Sequence, residues 1–193
     1  MRPSIRATTA VLAGGLLQTA CSDGTRPPTG PATLASSTAS RGGGSSITER
    51  FVNMMDACDP KTFNAALGPG TCVRNGGMKF SKFIEQLTRH HEVGAWHFAP
   101  PKIEARVGDM LVAVNRGGEV HTFTEVEEFG GGIVPLLNQL SGNPVPAPEC
   151  QRLEDDDFVR PGETYRDQVS EAGTEMYQCC IHPWMRTVVH ARR

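Results

Sequence analysis

The stretch Ile103-Glu104-Ala105-Arg106-Val107-Gly108-Asp109-Met110-Leu111-Val112-Ala113-Val114 decides the fold class. Ile103, Ala105 and Val107, then Met110, Val112 and Val114, alternate with polar or small neighbours, the period of half-buried strands. Gly108-Asp109 between the two runs is a turn signal. Upstream, Trp96 and Phe98 carry the same period. Downstream, Asn115-Arg116-Gly117-Gly118 turns the chain into a strand from Val120 to Val126. Tyr165 to Val169, Met176 to Cys180 and Thr187 to His190 read as the remaining strands. Short strands separated by turn signals predict an all-β sandwich. Residues 129–162 read as irregular, with Gly130-Gly131-Gly132, a short helix from Ile133 to Leu140, and Pro144, Pro146, Pro148 and Pro161. A loop that long in a compact domain is functional or stapled down, which favours a bond from Cys150.

Before Gly94 the pattern reads as helical. Phe51, Met54, Met55 and Cys58 fall at helical spacing, with Ser46 as N-cap ahead of Glu49. A second helix is expected from Ser81 to His91, with Phe80, Phe83, Ile84 and Leu87 on one face. Residues 47–93 are therefore expected to form a small helical extension ahead of a β domain at 94–193.

The chain has 193 residues, room for one domain and its tails, and a 38% hydrophobic fraction that suffices for one core. A formal net charge of −2 gives no footing for a nucleic-acid surface. Arg2 and Arg6, the apolar run Thr9 to Leu17 and the small residues that follow order themselves as an export signal over 1–20. That run is too short to span a bilayer. Leu16-Leu17-Gln18-Thr19-Ala20-Cys21 resembles a lipobox, with Gln18 where a small or branched apolar residue is usual. Cys21 is thus a candidate lipidation site, plain secretion being the alternative. Residues 21–46, rich in Ser, Thr, Gly and Pro, cannot bury enough apolar surface to fold and read as a tether.

Of six cysteines, Cys58 and Cys72 flank a Pro/Gly-rich loop and are the first choice for a local disulfide. Cys150 with Cys180 is the remaining pairing. Export permits both, and spacing alone does not set connectivity.

Cys179-Cys180-Ile181-His182-Pro183-Trp184-Met185 places thiolate, imidazole and thioether donors in one short turn. Such soft and intermediate donors suit copper. From Cys179 the spacing is Cys-x₂-His-x₂-Met, whereas Cys180 leaves only one residue before the histidine. Strand alternation also points the two thiols to opposite faces. Cys179 is accordingly the expected ligand and Cys180 structural. The set lacks a second histidine, and His121, at the start of a strand after a turn, is the best placed to supply it.

Here a resemblance becomes specific. Arg106-Val107-Gly108-Asp109-Met110-Leu111-Val112-Ala113-Val114-Asn115-Arg116, followed by His121-Thr122-Phe123-Thr124, looks like the first-ligand region of cupredoxins. Tyr177-Gln178-Cys179 with His182-Pro183-Trp184-Met185 looks like their second, with a short amicyanin-type loop rather than that of plastocyanin. The resemblance covers roughly residues 94–192. It implies an all-β cupredoxin Greek-key β-sandwich and one copper ion, with His121, Cys179 and His182 as trigonal ligands and Met185 as weak axial contact. It also implies that Asn115 braces the ligand loop. Trp184 is expected to cover the site and exclude water.

The reading that follows is a type 1 blue copper protein carrying single electrons in the bacterial cell envelope, not an enzyme by itself. Its expected partners are redox proteins, a cytochrome or an oxidoreductase, and it is expected to be monomeric. Glu154-Asp155-Asp156-Asp157 with Glu125, Glu127 and Glu128 reads as a solvated face or as a steering surface for a basic partner. Copper delivery or storage is the rival reading. No Cys-x-x-Cys-His for c-type haem, no paired zinc knuckles and no His-x-His pairs of a multicopper oxidase occur in the sequence. His90, His91, His97 and His190 have no partner pattern and read as surface or structural.

Overall fold

Val52 and Met54 are sealed from solvent while Phe51 between β-register neighbours is 53% exposed, a period of two where a helix was expected. In the computed structural model, which describes residues 47–193, Glu49–Met55 is strand β1. The helical expectation for this segment is thus corrected. A short apolar run fits either period, and pairing on both edges decides for the strand. The expectations for the export signal, the tether and Cys21 lie outside the described residues.

After β1 come two helices, α1 (Pro60–Leu67) and α2 (Phe80–His90). Asp59 caps α1 by accepting from the Thr62 N–H, and Pro60 opens the helix where its missing N–H costs nothing. α2 matches the expected helix to within a residue at each end and buries Phe83 and Leu87. The strands follow: β2 (His97–Ala99), β3 (Lys102–Arg106), β4 (Met110–Asn115), β5 (His121–Thr122) and β6 (Thr124–Val126). Helix α3 (Pro135–Leu140) falls within the expected short helix. β7 (Phe158–Val159), β8 (Thr164–Gln168), β9 (Gly173–Gln178) and β10 (Arg186–Arg192) complete the chain. The span 129–162 is less irregular than its composition suggested, since it holds α3, β7 and two 3₁₀ turns.

Two mixed sheets form the sandwich, β2-β1-β4-β8 and β3-β10-β9-β6, with β5-β7 as a short ladder at one end. β1 lies parallel to β4, with Val52 opposite Ala113 and Met54 opposite Asn115. The first strand of this sheet therefore comes from the segment assigned to the extension. Leu111 and Ala113 join Val52 and Met54 in the core, so the core face of β4 is the reverse of the one read from Met110, Val112 and Val114. The reason is physical: β4 is apolar on both sides, and alternation without a polar member cannot choose a face. Val112 is nonetheless only 1% exposed, flanked in register by Phe51 and Arg166.

The opposite sheet contributes Ile103, Ala105, Tyr177 and Val189 to the core. Phe123 bridges the layers, stacked on Tyr177 with ring centroids 4.4 Å apart and tilted against Phe98 at 5.3 Å. The expected strand Val120–Val126 is divided at Phe123: β5 pairs with β7 and β6 with β9. At the same end Phe63 of α1 and Phe83 of α2 pack on Trp96, with centroids 5.7 and 4.8 Å away. The helices thereby roof the end of the sandwich where the β4–β5 turn and the β9–β10 loop meet. Among the described residues, no helix is long and apolar enough to cross a membrane.

Candidate metal centre

Three of the four expected ligands converge. His121 opens β5, Cys179 follows the last residue of β9, and His182 sits in the β9–β10 loop. Their donor atoms lie within 4.8 Å of one another, and all three residues are buried. Nδ1 of His121 and Nδ1 of His182 are each 3.8 Å from Cys179 Sγ. A metal bonded to sulfur at roughly 2.3 Å and to nitrogen at roughly 2.0 Å, with a trigonal angle between, would set these atoms about 3.8 Å apart. The donors are thus spaced for a single ion, and one thiolate with two imidazoles is a copper-type set.

Local bonding fixes the donors. The Cys179 N–H donates to the Met185 carbonyl and the Met185 N–H to the His182 carbonyl, closing the ligand loop on itself. The Thr122 N–H points at Cys179 Sγ at 3.5 Å, while Thr122 Oγ1 accepts from the Cys180 N–H at 2.8 Å. Met185 is fully buried in the core cluster, directly after the loop. The Trp184 ring stands edge-on to His182 with centroids 5.5 Å apart and lies 6.0 Å from Phe83.

Cys179 and Cys180 divide as alternation suggested. Cys180 pairs with Cys150 and Cys58 with Cys72. Cys179 is the free, buried thiol among the described cysteines. Burial works against its ionisation, but the two histidines outweigh this and hold the thiol well below its usual range.

Asn115 ties the first-ligand turn together. Its Nδ2 donates to the Glu119 carbonyl at 2.7 Å and to the Val159 carbonyl at 2.8 Å, and its Oδ1 accepts from the Gly117 N–H. Three further histidines bond elsewhere: His91 meets the Leu140 carbonyl, His97 the Gly94 carbonyl and His190 the Thr174 hydroxyl, while His90 lies in the last turn of α2.

Two residues of the site were not read from the sequence. Asp56 Oδ2 lies 3.0 Å from His121 Nε2, and Glu119 Oε2 lies 3.6 Å from His182 Nε2. Burial pushes Asp56 up, but hydrogen bonds from His121 and from the Glu119 and Gly118 N–H groups prevail and hold it at about 2. An ionised carboxylate only accepts, so the His121 nitrogen facing it carries the proton and Nδ1 faces Cys179. Burial likewise opposes protonation of His121, yet Asp56 and Cys179 raise its value to about 9 in the metal-free chain. Glu119 accepts from Trp96 Nε1 at 2.6 Å, and burial raises it above the ordinary carboxylate range. Nothing local marked either residue: Asp56 after an apolar run and Glu119 after two glycines become legible only once their partners are placed.

No protein-family model matches the sequence. No curated protein matches it either. Similar solved structures include a Cu(I) amicyanin variant, 21% identical over 50% of this chain and 73% of that one, with a TM-score of 0.35. Another is a purple cupredoxin from Nitrosopumilus maritimus, 19% identical over 52% of this chain and 86% of that one, at 0.38. Scores this low add nothing to the geometry, which stands on its own. The chain folds as a two-sheet β-sandwich that gathers His121, Cys179 and His182 at one end.

Proposed function

We propose that this protein is a mononuclear type 1 copper protein, a one-electron carrier of the bacterial cell envelope without catalytic turnover of its own. The observation that carries this reading is the buried His121-Cys179-His182 cluster, whose donors are spaced for one ion. His121, Cys179 and His182 would hold copper, with Met185 as the weak axial donor. Copper held there supplies a one-electron couple. The chain's part is rigidity and dryness. The sheets and the Cys150–Cys180 bond, adjacent to the ligand cysteine, keep the donors in place in both redox states, so little has to move when charge changes. Trp184 and Phe83 keep water from His182.

Burial also supports the carrier over copper delivery. A delivery protein presents exposed Met and His donors, whereas Met185 is 0% and His182 4% exposed. Two disulfides accord with an oxidising compartment and with the export signal, and Cys21 would supply a lipid anchor. An apolar cavity of about 310 Å³, lined by Phe63, Phe83, Leu136, Leu137 and the His182 edge, offers a contact through which a redox partner reaches the centre. Glu125, Glu127, Glu149 and Glu175 line an acidic face that would steer a basic partner such as a cytochrome.

The test is the visible spectrum of the copper-loaded, oxidised protein beside Cys179→Ser and Cys180→Ser. An intense thiolate-to-copper band lost only with Cys179→Ser is the expected result. Absence of that band in the unaltered protein would remove the carrier reading.

A further inference from the structure

The carboxylate behind His121 is built in rather than merely nearby. Asp56 follows β1, and its oxygens accept from the N–H groups of Cys58, Gly118 and Glu119 as well as facing His121 Nε2. Its side chain is 1% exposed. The turn that delivers His121 is shaped around it. A Cβ on Gly117 would collide with the Asp56 carboxylate, and one on Gly118 would meet the Arg74 carbonyl and Cys58 Sγ. The Cys58–Cys72 bond then pins the segment two residues beyond the acid. Glu119, behind His182, is held differently: it stands farther from its histidine and accepts from Trp96.

A carbonyl or amide oxygen in the same place would orient His121 equally well. A carboxylate adds charge. Buried charge is weakly screened, so it acts on a neighbouring ion more strongly than a surface acid would. It favours the more highly charged of two oxidation states. Carboxylates behind ligating imidazoles also fix the tautomer and raise ligand basicity.

We propose that Asp56 is the positioning residue of the copper centre, presenting Nδ1 of His121 to the metal and favouring the oxidised ion through its fixed negative charge. This rests on the copper reading above. Asp56→Asn, nearly the same shape, removes the charge and one acceptor. The ratio of Cu(I) to Cu(II) affinity should rise about 10-fold or more, the scale of such outer-shell losses. A tenfold change is about 59 mV upward in the potential of a one-electron couple. The measurement is the midpoint potential of both proteins by spectroelectrochemistry. An unchanged potential with intact colour overturns the proposal.

A second measurement needs no variant. In ¹⁵N NMR of the unaltered Cu(I)-loaded protein, His121 should carry its proton on Nε2. A proton on Nδ1 overturns the orientation. Failure of the copper reading looks different, because the Cys179-dependent band would then be missing from the unaltered protein. The same ring assignment on the Zn(II)-loaded protein would still report whether Asp56 sets the tautomer.

Discussion

Asp56 Oδ2 and His121 Nε2 lie 3.0 Å apart, and neither side chain reaches solvent by more than 1%. The pair spans 65 residues of chain and joins the end of β1 to the start of β5. Whatever displaces the acid therefore displaces a candidate ligand.

Gly117→Ala should do so. The new methyl enters the volume of the Asp56 carboxylate. Overpacking of this kind costs about 1–3 kcal/mol, and the moved acid should weaken copper binding about 10-fold or more. Gly108→Ala is the contrast: Gly108 has φ +93° with nothing within 4 Å of a Cβ. It should cost about 1–2 kcal/mol from backbone conformation alone and leave copper affinity unchanged. Denaturant unfolding and competition with a copper chelator measure both.

Removing the Cys150–Cys180 bond as a double Ser variant should lower stability by about 2–4 kcal/mol. It should keep the copper colour, because Cys179 remains as the thiol facing both histidines. Unfolding under non-reducing conditions and a visible spectrum report the two effects. Loss of colour in a folded double variant would mean that Cys180 serves the metal.

Phe83 is 3% exposed and touches the rings of Phe63, Trp96, His182 and Trp184. Phe83→Ala should cost about 3–5 kcal/mol, the usual range for a buried aromatic. It should also open a water path to His182 and quicken the loss of copper to a chelator. Stopped-flow measurement of that loss is the check; an unchanged rate would mean that α2 does not seal the site.

The acidic face predicts a pH dependence. Glu125 is raised above its ordinary 4.5 by burial and then by Asp167, Glu171 and Glu149. Glu175 is raised by burial and then by Glu125, with Asp167 and Glu171 adding to it. A raised carboxylate binds its proton more tightly in the folded chain than in the unfolded one. Its effect is therefore a loss of stability as pH rises from about 4.5 through the raised value. Asp56 has the opposite sign: its contribution is full above 3.8 and is lost as pH falls through about 2. The contribution of Glu125 and Glu175 should thus weaken as pH rises from mildly acidic to neutral, while that of Asp56 is lost only in strong acid. Glu175→Gln should raise the melting temperature more at pH 7 than at mildly acidic pH, changing the slope between them. A series of thermal scans decides, and a slope unchanged by Glu175→Gln would sink the assignment.

Much of the centre was readable in one dimension because metal ligation restricts residue type. Cys179, His182 and Met185 sit within a single turn, where spacing limits which donors converge. Strand alternation alone separates Cys179 from Cys180. β1 is ambiguous in the sequence for a complementary reason. Phe51, Val52, Met54 and Met55 satisfy helical and extended periods alike, and only hydrogen-bonded partners on both edges remove the ambiguity. Helix α1 carries its own signal in the sequence, Asp59-Pro60 as cap and first residue.

The chain order of the donors, their softness and the division of the two adjacent thiols are properties of the sequence itself. They depend on side-chain chemistry and on the two-residue period of a strand. Tertiary structure decided which face of β4 turns inward, which segment completes its sheet, and that a buried aspartate stands behind His121. Those outcomes depend on groups far apart along the chain meeting in a low-dielectric interior. Asp56 and His121 gain their mutual hold only there, where water no longer competes for the bond.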